Sequence, residues 1–395
     1  MRALKDLADK LFPETVEIRR TIHRHPEIGR KEVQTSALIR AKLQEFGVDS
    51  IESPVPTAVV ALIKGTKGPG KCLALRCDID ALPVQEETGL PYASEVPNMM
   101  HACGHDMHTA MLLGAAHLLC AKRADFAGTV KLIFQHSEDT LPGGAKELVE
   151  KGVLENPHVD AIIGMHMHPD ESRVGKFLFH DGPITTSVDL FDFTIKGKGG
   201  HGSAPQTTHD PILAACQLVT LLQQIPARYI DPLETVIFPI CSLHSGDAPN
   251  VIPDEARLSG VARSYVDAVR EDVTKQVYDI AKGLEAISQC KININHYEGY
   301  PACYNDPALM NVVREAVTSS LGAEAIFEDP RPVSFSEDFS YYTKMSTTPS
   351  AYIMLFAGHN GDLVSLHNPK CNLKEEAMPY GITALVSTAL TFLNK

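Results

Sequence analysis

The amino-acid sequence predicts a mixed-sheet α/β domain that is interrupted by a smaller α+β unit. Between residues 57 and 167, short aliphatic runs alternate with a helical pattern, which is typical of α/β proteins. Residues 185–300 follow the order β-α-β-β-α-β of a ferredoxin-like unit. The α/β alternation resumes from Pro301. We therefore expect residues 1–184 and 301–395 to be two parts of one domain, with residues 185–300 as an inserted domain.

The composition is that of an ordinary globular protein, with 395 residues of which 44% are hydrophobic and 22% are charged. Subtracting 49 Asp and Glu from 36 Lys and Arg gives a net charge of -13, which argues against nucleic-acid or anionic-membrane partners. The sequence suggests neither a secretory signal nor a transmembrane segment. Nine singly scattered cysteines favour reduced thiols, so we expect a cytoplasmic protein.

The first elements are two helices and two strands, predicted at Thr15–His23, Lys31–Phe46, Thr57–Lys64 and Lys71–Asp80. Pro26 disfavours helix at His25, and Gly47 ends the second helix. His23 and His25 have no ligand-type neighbours in the sequence. A surface or packing role is therefore favoured for both over metal binding.

The densest group of ligand-type side chains lies at residues 98–110, ahead of a helix predicted at Met107–Arg123. Cys103 and His105 together suit a borderline-soft divalent cation such as zinc. Because residues at i and i+2 do not share a helix face, we expect both in a loop, with Gly104 allowing the bend. Alternatively, a buried thiol and a capping Asp106 merely open the helix. Three histidines, a thiol and a carboxylate within eight residues favour the metal site.

Acidic residues end two predicted strands, at the edge of an α/β sheet where ligands bind. Asp78 and Asp80 end the strand Lys71–Asp80, and they either cap a turn or orient a ligating imidazole. Glu138 and Asp139 follow the strand Gly128–Gln135. Neighbouring residues on extended backbone point to opposite sides, so one acid can ligate a cation while the other faces a water molecule. That division of roles is what metal-assisted hydrolysis requires.

Histidines occur at three further places. His166 and His168 end the predicted strand Val159–Met167 and share one face, so one or both could reach the metal site. His201 lies in a Gly-rich turn of the insert that resembles a phosphate-binding loop only weakly. His367 lies between the last predicted strand and the last helix, where it could return to the same site.

The remaining elements are predicted from periodicity and turn signals. After a helix at Ala145–Lys151, those of the insert are Asp189–Lys196, Asp210–Tyr229, Glu234–His244, Ala256–Tyr265, Ala268–Gln289 and Lys291–Glu298. Those of the final part are Pro307–Leu321, Glu324–Phe327, Ala351–Phe356 and Lys374–Leu393.

In their order along the chain, these motifs resemble the metal-dependent amidohydrolases of the aminoacylase, carboxypeptidase and hippurate hydrolase superfamily. The motifs are Cys103-Gly104-His105-Asp106, Glu138-Asp139, Gly164-x-His166, Gly199-Gly200-His201 and His367. The Cys-Gly-His-Asp form is similar to the branch of hippurate hydrolases and indole-acetyl-amino-acid hydrolases. The resemblance implies a metallohydrolase domain whose insert is a lid and dimerisation domain.

The resemblance also implies roles for individual residues. The divalent ions, one or two of Zn, Mn or Co, would be held by Cys103, His105, Asp139, His166 and His367. Glu138 would be the general base. His201 would stabilise the oxyanion, often from the other subunit of a dimer, while Asn250 and Arg263 would bind the substrate carboxylate. Asp78, Asp80 and Asp106 would support the ligands. The family usually has Glu where this chain has Asp139, which leaves one or two ions open.

We therefore predict hydrolysis of the amide bond of N-acyl amino acids by a metal-activated water, with Glu138 as base. The partner would be a small N-acyl amino acid or short peptide, and the chain would form a homodimer or higher oligomer through residues 185–300. The alternative within hydrolases is a dipeptidase or carboxypeptidase. A non-catalytic metal- or peptide-binding protein is disfavoured because Glu138 is present. A cysteine hydrolase using Cys103 is disfavoured because the neighbouring ligands would bind that thiol to metal.

Overall fold

The structure is a computed structural model that describes residues 2–395, and these divide into two compact units. The first unit comprises the chain up to Ile184 together with Tyr304–Pro332 and Asp338–Lys395. The second comprises Thr185–Cys303 and the short segment Val333–Glu337. The second unit therefore includes eight residues that lie beyond the predicted insert, namely residues 301–303 and 333–337.

Nine α-helices are present in the described part of the chain. In order they are α1 Arg2–Arg24, α2 Val33–Phe46, α3 His105–Ala121, α4 Ala145–Glu150, α5 Pro211–Leu222, α6 Asp267–Ser288, α7 Pro307–Leu321, α8 Ser340–Lys344 and α9 Met378–Leu393. Helix α1 is much longer than the expected Thr15–His23 and contains Pro13. One face of α1 buries Leu4, Ala8, Ile18 and Ile22, and this packing stabilises the helix through the proline.

Strands β1–β7 and β15–β17 belong to the first unit, and β8–β14 to the second. In order they are β1 Ser50–Glu52, β2 Val59–Lys64, β3 Cys72–Asp78, β4 Thr129–Gln135, β5 Ala161–His168, β6 Phe177–Phe179, β7 Gly182–Pro183, β8 Asp189–Lys196, β9 Gly200–His201, β10 Val236–Ile237, β11 Ile240–His244, β12 Val251–Ile252, β13 Glu255–Ser264, β14 Lys291–Glu298, β15 Tyr304–Asn305, β16 Ile326–Glu328 and β17 Ser350–Phe356.

The first unit is built on an eight-stranded mixed sheet of order β1-β2-β4-β3-β5-β17-β6-β16. Its four central strands β4, β3, β5 and β17 are mutually parallel, so their carboxyl ends meet at one edge. Every residue of β3 and β17 is buried, as expected for strands covered on both faces. Helices α1, α3, α7 and α9 pack against one another in the same hydrophobic core as these strands.

The second unit has the antiparallel strand order β11-β13-β8-β14, which is the order of a ferredoxin-like fold. Burial alternates along β8, and its inner side chains Phe191, Phe193 and Ile195 pack in a core with residues of α5 and α6. This sheet thus has one covered face. The mixed α/β fold with an inserted α+β domain is therefore confirmed.

Two predicted elements of the second unit are shorter than expected, and a proline explains each. The helix expected at Asp210–Tyr229 ends at Leu222, and a π-helical turn containing Pro226 follows. The strand expected at Glu234–His244 is broken into β10 and β11 around Pro239, which has no N–H for a strand ladder. Between residues 2 and 395, no helix is both long and apolar enough to cross a bilayer.

Candidate metal centre

The predicted ligands lie at the carboxyl edge of the central parallel strands. Asp78 ends β3, Glu138 and Asp139 follow β4, and His166 lies near the end of β5. Because β4, β3 and β5 are adjacent and parallel, their ends deliver these side chains to one edge. Strands β4 and β5, which follow β3 in the chain, lie on opposite sides of β3. Ligands usually bind at such a reversal of strand order in open α/β sheets.

Cys103 and His105 are brought to this edge by the start of α3. Gly104 has a φ of 92°, a left-handed backbone that glycine adopts without strain. Cys103 lies before the helix, as expected, but His105 does not lie in the loop: it is the first residue of α3. The expectation was wrong because the turn at Gly104, rather than a longer loop, directs both side chains to the same side.

Cys103 lies close to two other predicted ligands, and a fourth predicted ligand lies close to one of these. Its Sγ atom is 3.4 Å from Nε2 of His166 and 3.3 Å from Nε2 of His367. Nε2 of His367 is 3.5 Å from Oδ1 of Asp139. Ligand atoms about 2.0–2.3 Å from a shared ion are roughly 3.3–3.8 Å apart in tetrahedral geometry. Each of the three distances therefore fits two ligand atoms that share an ion.

The fifth predicted ligand, His105, completes a second group with Cys103 and His166. Nε2 of His105 is 3.9 Å from Oδ2 of Asp139. This nitrogen is buried and has no hydrogen-bond partner among the described residues. The two groups, Cys103-His105-His166 and Cys103-Asp139-His367, share the thiol. This arrangement fits either one ion or two neighbouring ions.

Backbone carbonyls orient two of the ligating rings. Nδ1 of His105 donates to the carbonyl of Asp80 at 2.9 Å, and Nδ1 of His166 donates to the carbonyl of Met167 at 2.7 Å. A neutral imidazole that donates from Nδ1 leaves Nε2 as the free electron pair. In its neutral form, each ring therefore offers the Nε2 electron pair to a metal ion.

The electrostatics of the donors also fit a cation. Burial, with Asp139 nearby, raises the pKa of the Cys103 thiol well above its usual range, so a thiolate here requires a neighbouring positive charge. Burial lowers the pKa of His166 and of His367 and keeps both imidazoles neutral. A divalent ion binds such a set and releases the thiol proton.

His105 differs from the other two imidazoles. Burial opposes protonation, but Asp78 and Cys103 outweigh it and raise the pKa of His105. Binding of a metal ion at Nε2 would displace the proton that a charged His105 carries there. Metal affinity at this position therefore depends on pH.

Asp80 contacts two of the predicted ligand residues directly, whereas Asp78 lies farther from them. Oδ2 of Asp80 accepts the backbone N–H of Asp139 at 3.0 Å, in addition to its carbonyl contact with His105. Oδ1 of Asp78 is 2.6 Å from Nδ1 of His108 but 3.8 Å from His105. Nε2 of His108 accepts the N–H of Met167 at 3.0 Å, so both of its ring nitrogens are engaged by protein and His108 is a poor ligand.

Asp106, also expected beside the ligands, instead pairs with Arg19 and His23. His23 is buried and contacts Asp106 at 2.7 Å, which fits the packing role expected for it rather than metal binding. His168 accepts the N–H of Asp170 at Nδ1, at 3.2 Å, and packs against Phe356.

Glu138 is buried, and its Oε2 atom is 3.9 Å from Nε2 of His105. The expected base therefore lies beside the ligand cluster.

The other predicted site residues belong to the second unit. His201 pairs with Val251 in a two-stranded ladder, and the N–H of Gly202 donates to the carbonyl of Asn250 at 2.9 Å, so His201 and Asn250 are neighbours. Both are exposed. Arg263 lies on β13, and its Nη1 donates to Oγ of Ser336 at 3.2 Å.

Sequence reasoning missed a buried polar network beneath the strand ends. Arg76 donates to Asp78 and to Asp338, both at 2.8 Å, and Gln135 donates to Asp338 at 2.7 Å. A charged residue within the aliphatic run of β3 is a signal that could have drawn attention to Arg76, because a buried charge needs a partner. Its partner Asp338 is 262 residues away, and no local pattern predicts that pairing.

The site combines thiol, imidazole and carboxylate ligands with a further acid, Glu138. It lies at the carboxyl edge of a mixed sheet in a chain with an inserted α+β domain. These features define a metal-dependent hydrolase. The chain belongs to the peptidase family M20/M25/M40, whose family model matches residues 74–391.

Three curated relatives are similar over nearly the whole chain. An N-acetylcysteine deacetylase of Bacillus subtilis is 38% identical over 94% of this chain and 95% of the relative. Thermostable carboxypeptidase 1 of Saccharolobus solfataricus is 38% identical over 96% and 95%. The IAA-amino acid hydrolase ILR1-like 4 of Arabidopsis thaliana is 37% identical over 97% and 86%.

Among solved structures, the YXEP protein of Bacillus subtilis, described as a dinuclear metal-binding peptidase of the M20 family, is 34% identical. The TM-score is 0.84, with 98% of this chain and 99% of that chain covered. The predicted resemblance to the amidohydrolase branch is therefore confirmed. The protein is a metal-dependent amidohydrolase that uses one or two divalent ions.

Proposed function

We propose that the protein hydrolyses the amide bond of N-acyl amino acids, releasing a carboxylic acid and a free amino acid. The observation that carries this proposal is the position of Glu138, which is buried beside the ligand cluster with its Oε2 atom 3.9 Å from Nε2 of His105. The N-acetylcysteine deacetylase and the IAA-amino acid hydrolase, both named for linear amides of amino acids, support the substrate class.

We assign Cys103, His105, Asp139, His166 and His367 as the residues that hold the metal. When bound, a divalent ion polarises the amide carbonyl and lowers the pKa of water toward about 7. Glu138 takes the proton of the attacking water as its oxygen bonds to the carbonyl carbon. Glu138 then passes that proton to the amine nitrogen as the C–N bond breaks.

We assign His201 the stabilisation of the oxyanion. Nδ1 of His201 accepts the backbone N–H of Ser203 at 3.1 Å and lies 2.8 Å from Oγ of the same residue. Because a backbone nitrogen can only donate, Nδ1 is the acceptor and Nε2 carries the proton. An exposed N–H donor is the form required to stabilise a developing negative oxygen.

Arg263 and Asn250 are assigned to the carboxylate of the substrate. The Arg263 guanidinium donates hydrogen bonds to the hydroxyls of Thr186 and Ser336, and neither of these partners is an acid. A half-buried guanidinium with neutral partners suits a planar carboxylate.

A carboxypeptidase or dipeptidase is the second candidate, because the relative from Saccharolobus solfataricus is named a carboxypeptidase at 38% identity. The same ligand cluster and base serve a peptide bond and an acyl-amino acid bond equally. Only the groups flanking the amide decide between them.

The test is release of free amino acid from N-acetyl, N-benzoyl and N-aryl-acetyl amino acids and from dipeptides, with and without chelator. We expect turnover of N-acyl amino acids that is abolished by chelator and restored by Zn, Mn or Co. Faster turnover of dipeptides would favour the second candidate. Turnover that survives chelation and metal depletion would contradict the assignment.

We also propose that the chain forms a homodimer through the second unit. Helix α5 exposes Ile212 and Leu213, the latter 58% exposed, and strand β11 exposes Leu243. Strand β11 pairs with β13 and is an edge of its sheet. Apolar side chains beside a sheet edge favour association. Light scattering should give twice the mass of the chain, and a Leu213→Glu variant should give less; a wild-type monomer would contradict the proposal.

A cytoplasmic location is inferred from the thiols. None of the nine cysteines, all of which lie in the described residues, forms a disulfide, and Cys103 must be reduced to act as a ligand. Fractionation of cells with an antibody against the chain tests this location, and recovery outside the cytoplasm would contradict it.

A further inference from the structure

The base follows a residue with an unusual backbone conformation. Ser137, directly before Glu138, has a φ of 53° and is fully buried. A left-handed backbone is costly for a residue with a side chain, so it persists only where surrounding contacts hold it. The direction in which Glu138 leaves the chain depends on that conformation.

Glu32 provides the contact that holds Ser137. Its Oε1 atom accepts the backbone N–H of Ser137 at 2.8 Å, and its side chain is completely buried. The two residues are 105 positions apart, so this bond joins the segment before α2 to the strand end that carries the base. A buried carboxylate that accepts a backbone N–H forms one of the stronger hydrogen bonds in proteins.

The segment around Glu32 is shaped to approach Ser137 closely. At Gly29, an added Cβ would lie 2.6 Å from Oγ of Ser137, so only glycine fits without movement. The carbonyl of Glu27 accepts the N–H of Ala81 at 2.8 Å, which attaches the same segment to the chain beside Asp80.

The other side of the base is held in the same manner. Asp80 accepts the N–H of Asp139 at 3.0 Å. Glu138 therefore stands between two backbone N–H groups, each bound by a buried carboxylate, one from Glu32 and one from Asp80. The backbone is therefore held on both sides of Glu138.

We propose that Glu32 is a positioning residue that directs Glu138 toward the reacting amide by holding the N–H of Ser137. The inference rests on the proposed function, because it takes Glu138 as the general base. Glu32 acts through the backbone and does not touch the substrate.

The experiment compares Glu32→Ala with Glu32→Gln and with Glu27→Ala. The amide oxygen of Gln accepts the same N–H, so kcat of Glu32→Gln should stay within about threefold of wild type. Glu32→Ala should lose about 10- to 100-fold in kcat, the effect of a reacting group displaced by up to about 1 Å, with KM and metal content unchanged. Equal kcat in Glu32→Ala and wild type would overturn the proposal.

Glu27→Ala is the matched control. Glu27 lies in the same segment, but its carboxylate accepts the N–H groups of Gln34 at 3.0 Å and Thr35 at 2.9 Å and does not contact Ser137. Its loss should lower the unfolding temperature with kcat nearly unchanged. If Glu27→Ala and Glu32→Ala lose kcat equally, the role of Glu32 is general support of the fold and the proposal fails.

A double variant separates this inference from the proposed function. If Glu32 acts only through the base, adding Glu32→Ala to Glu138→Gln should cause no further loss of kcat. An additive loss would overturn the positioning role. Full activity of Glu138→Gln alone would instead overturn the proposed function. Should Glu32→Ala fail to fold, Glu32→Asp, which is too short to reach Ser137, replaces it with the same expected loss.

Discussion

Two buried clusters of acids and histidines begin at consecutive residues of α3, and they are built in opposite ways. His105 belongs to the ligand cluster with Cys103, while Asp106 belongs to a second cluster with Arg19 and His23. Both are buried in the first unit. Residue types alone do not distinguish them, because each contains carboxylates and imidazoles.

The second cluster contains its own cation. The guanidinium of Arg19 lies 2.7 Å from Oδ2 of Asp106 and 3.1 Å from Glu375. Burial alone would raise the pKa of Asp106, but Arg19 and His23 hold it well below its usual range. Burial and Arg19 oppose protonation of His23, yet Asp106 and Glu86 raise its pKa.

In the ligand cluster, side chains that can bind a metal ion lie next to one another, and no arginine is among the predicted ligands. The thiol, imidazole and carboxylate atoms lie 3.3–3.9 Å apart. A cluster that is balanced by arginine stabilises the fold, whereas one that points electron pairs at a common space requires an external cation. Four predictions test this contrast.

The largest effect is expected from Glu138→Gln. Removing a general base lowers kcat by about 100- to 10,000-fold. Metal content and unfolding temperature should match wild type, because the side chain keeps its size. The measurement is kcat on the best N-acyl amino acid together with metal analysis. Retention of more than a tenth of the activity would exclude Glu138 as the base.

Replacing Arg19 by Met should chiefly destabilise the fold. It leaves Asp106 buried without its guanidinium, and breaking a buried pair in this way costs about 3–5 kcal/mol. The neighbouring Arg20, whose side chain is 36% exposed and pairs with Glu375 at 2.6 Å, is the control. Arg20→Met should cost about 1 kcal/mol or less. Urea unfolding measures both, and equal losses would contradict the contrast.

Metal removal should destabilise through the ligand cluster alone. An ion at about 100 times its dissociation constant adds about 2.7 kcal/mol to the free energy of unfolding. We expect chelator to lower stability by a similar amount in wild type and in Asp106→Asn, and by much less in Cys103→Ser. A chelator effect that disappears in Asp106→Asn would show that the two clusters act as one.

The smallest effect is a pH dependence from His23. Its folded pKa is raised, so its stabilising contribution is complete below the unfolded pKa of about 6.5 and is lost as pH rises through the folded pKa. The stability difference between wild type and His23→Gln should therefore shrink with rising pH, by at most about 1.4 kcal/mol per unit. Unfolding in chelator at several pH values measures it, and a constant difference would argue against a charged His23.

Much of this organisation could be predicted from local patterns. The ends of strands β3, β4 and β5 and the order of helices and strands in the insert follow from hydrophobic periodicity over short stretches of sequence. Errors arose where a single residue decides the geometry. Gly104 turns the chain so sharply that α3 begins at the next residue, His105. Pro226 interrupts a predicted helix and Pro239 a predicted strand, which hydrophobic periodicity alone would continue.

The types of ligand side chain, their order and the edge of the sheet at which they lie can be read from local sequence. Which acids receive a partner from the protein depends on how distant parts of the chain pack together. Arg19 reaches Asp106, Arg76 reaches Asp338 across 262 residues, and Glu32 reaches Ser137 across 105. A buried charge is stabilised by whichever group packing brings within about 3 Å, and packing joins residues that are distant along the chain. For that reason, Asp106 and His105 are adjacent in sequence yet belong to different clusters.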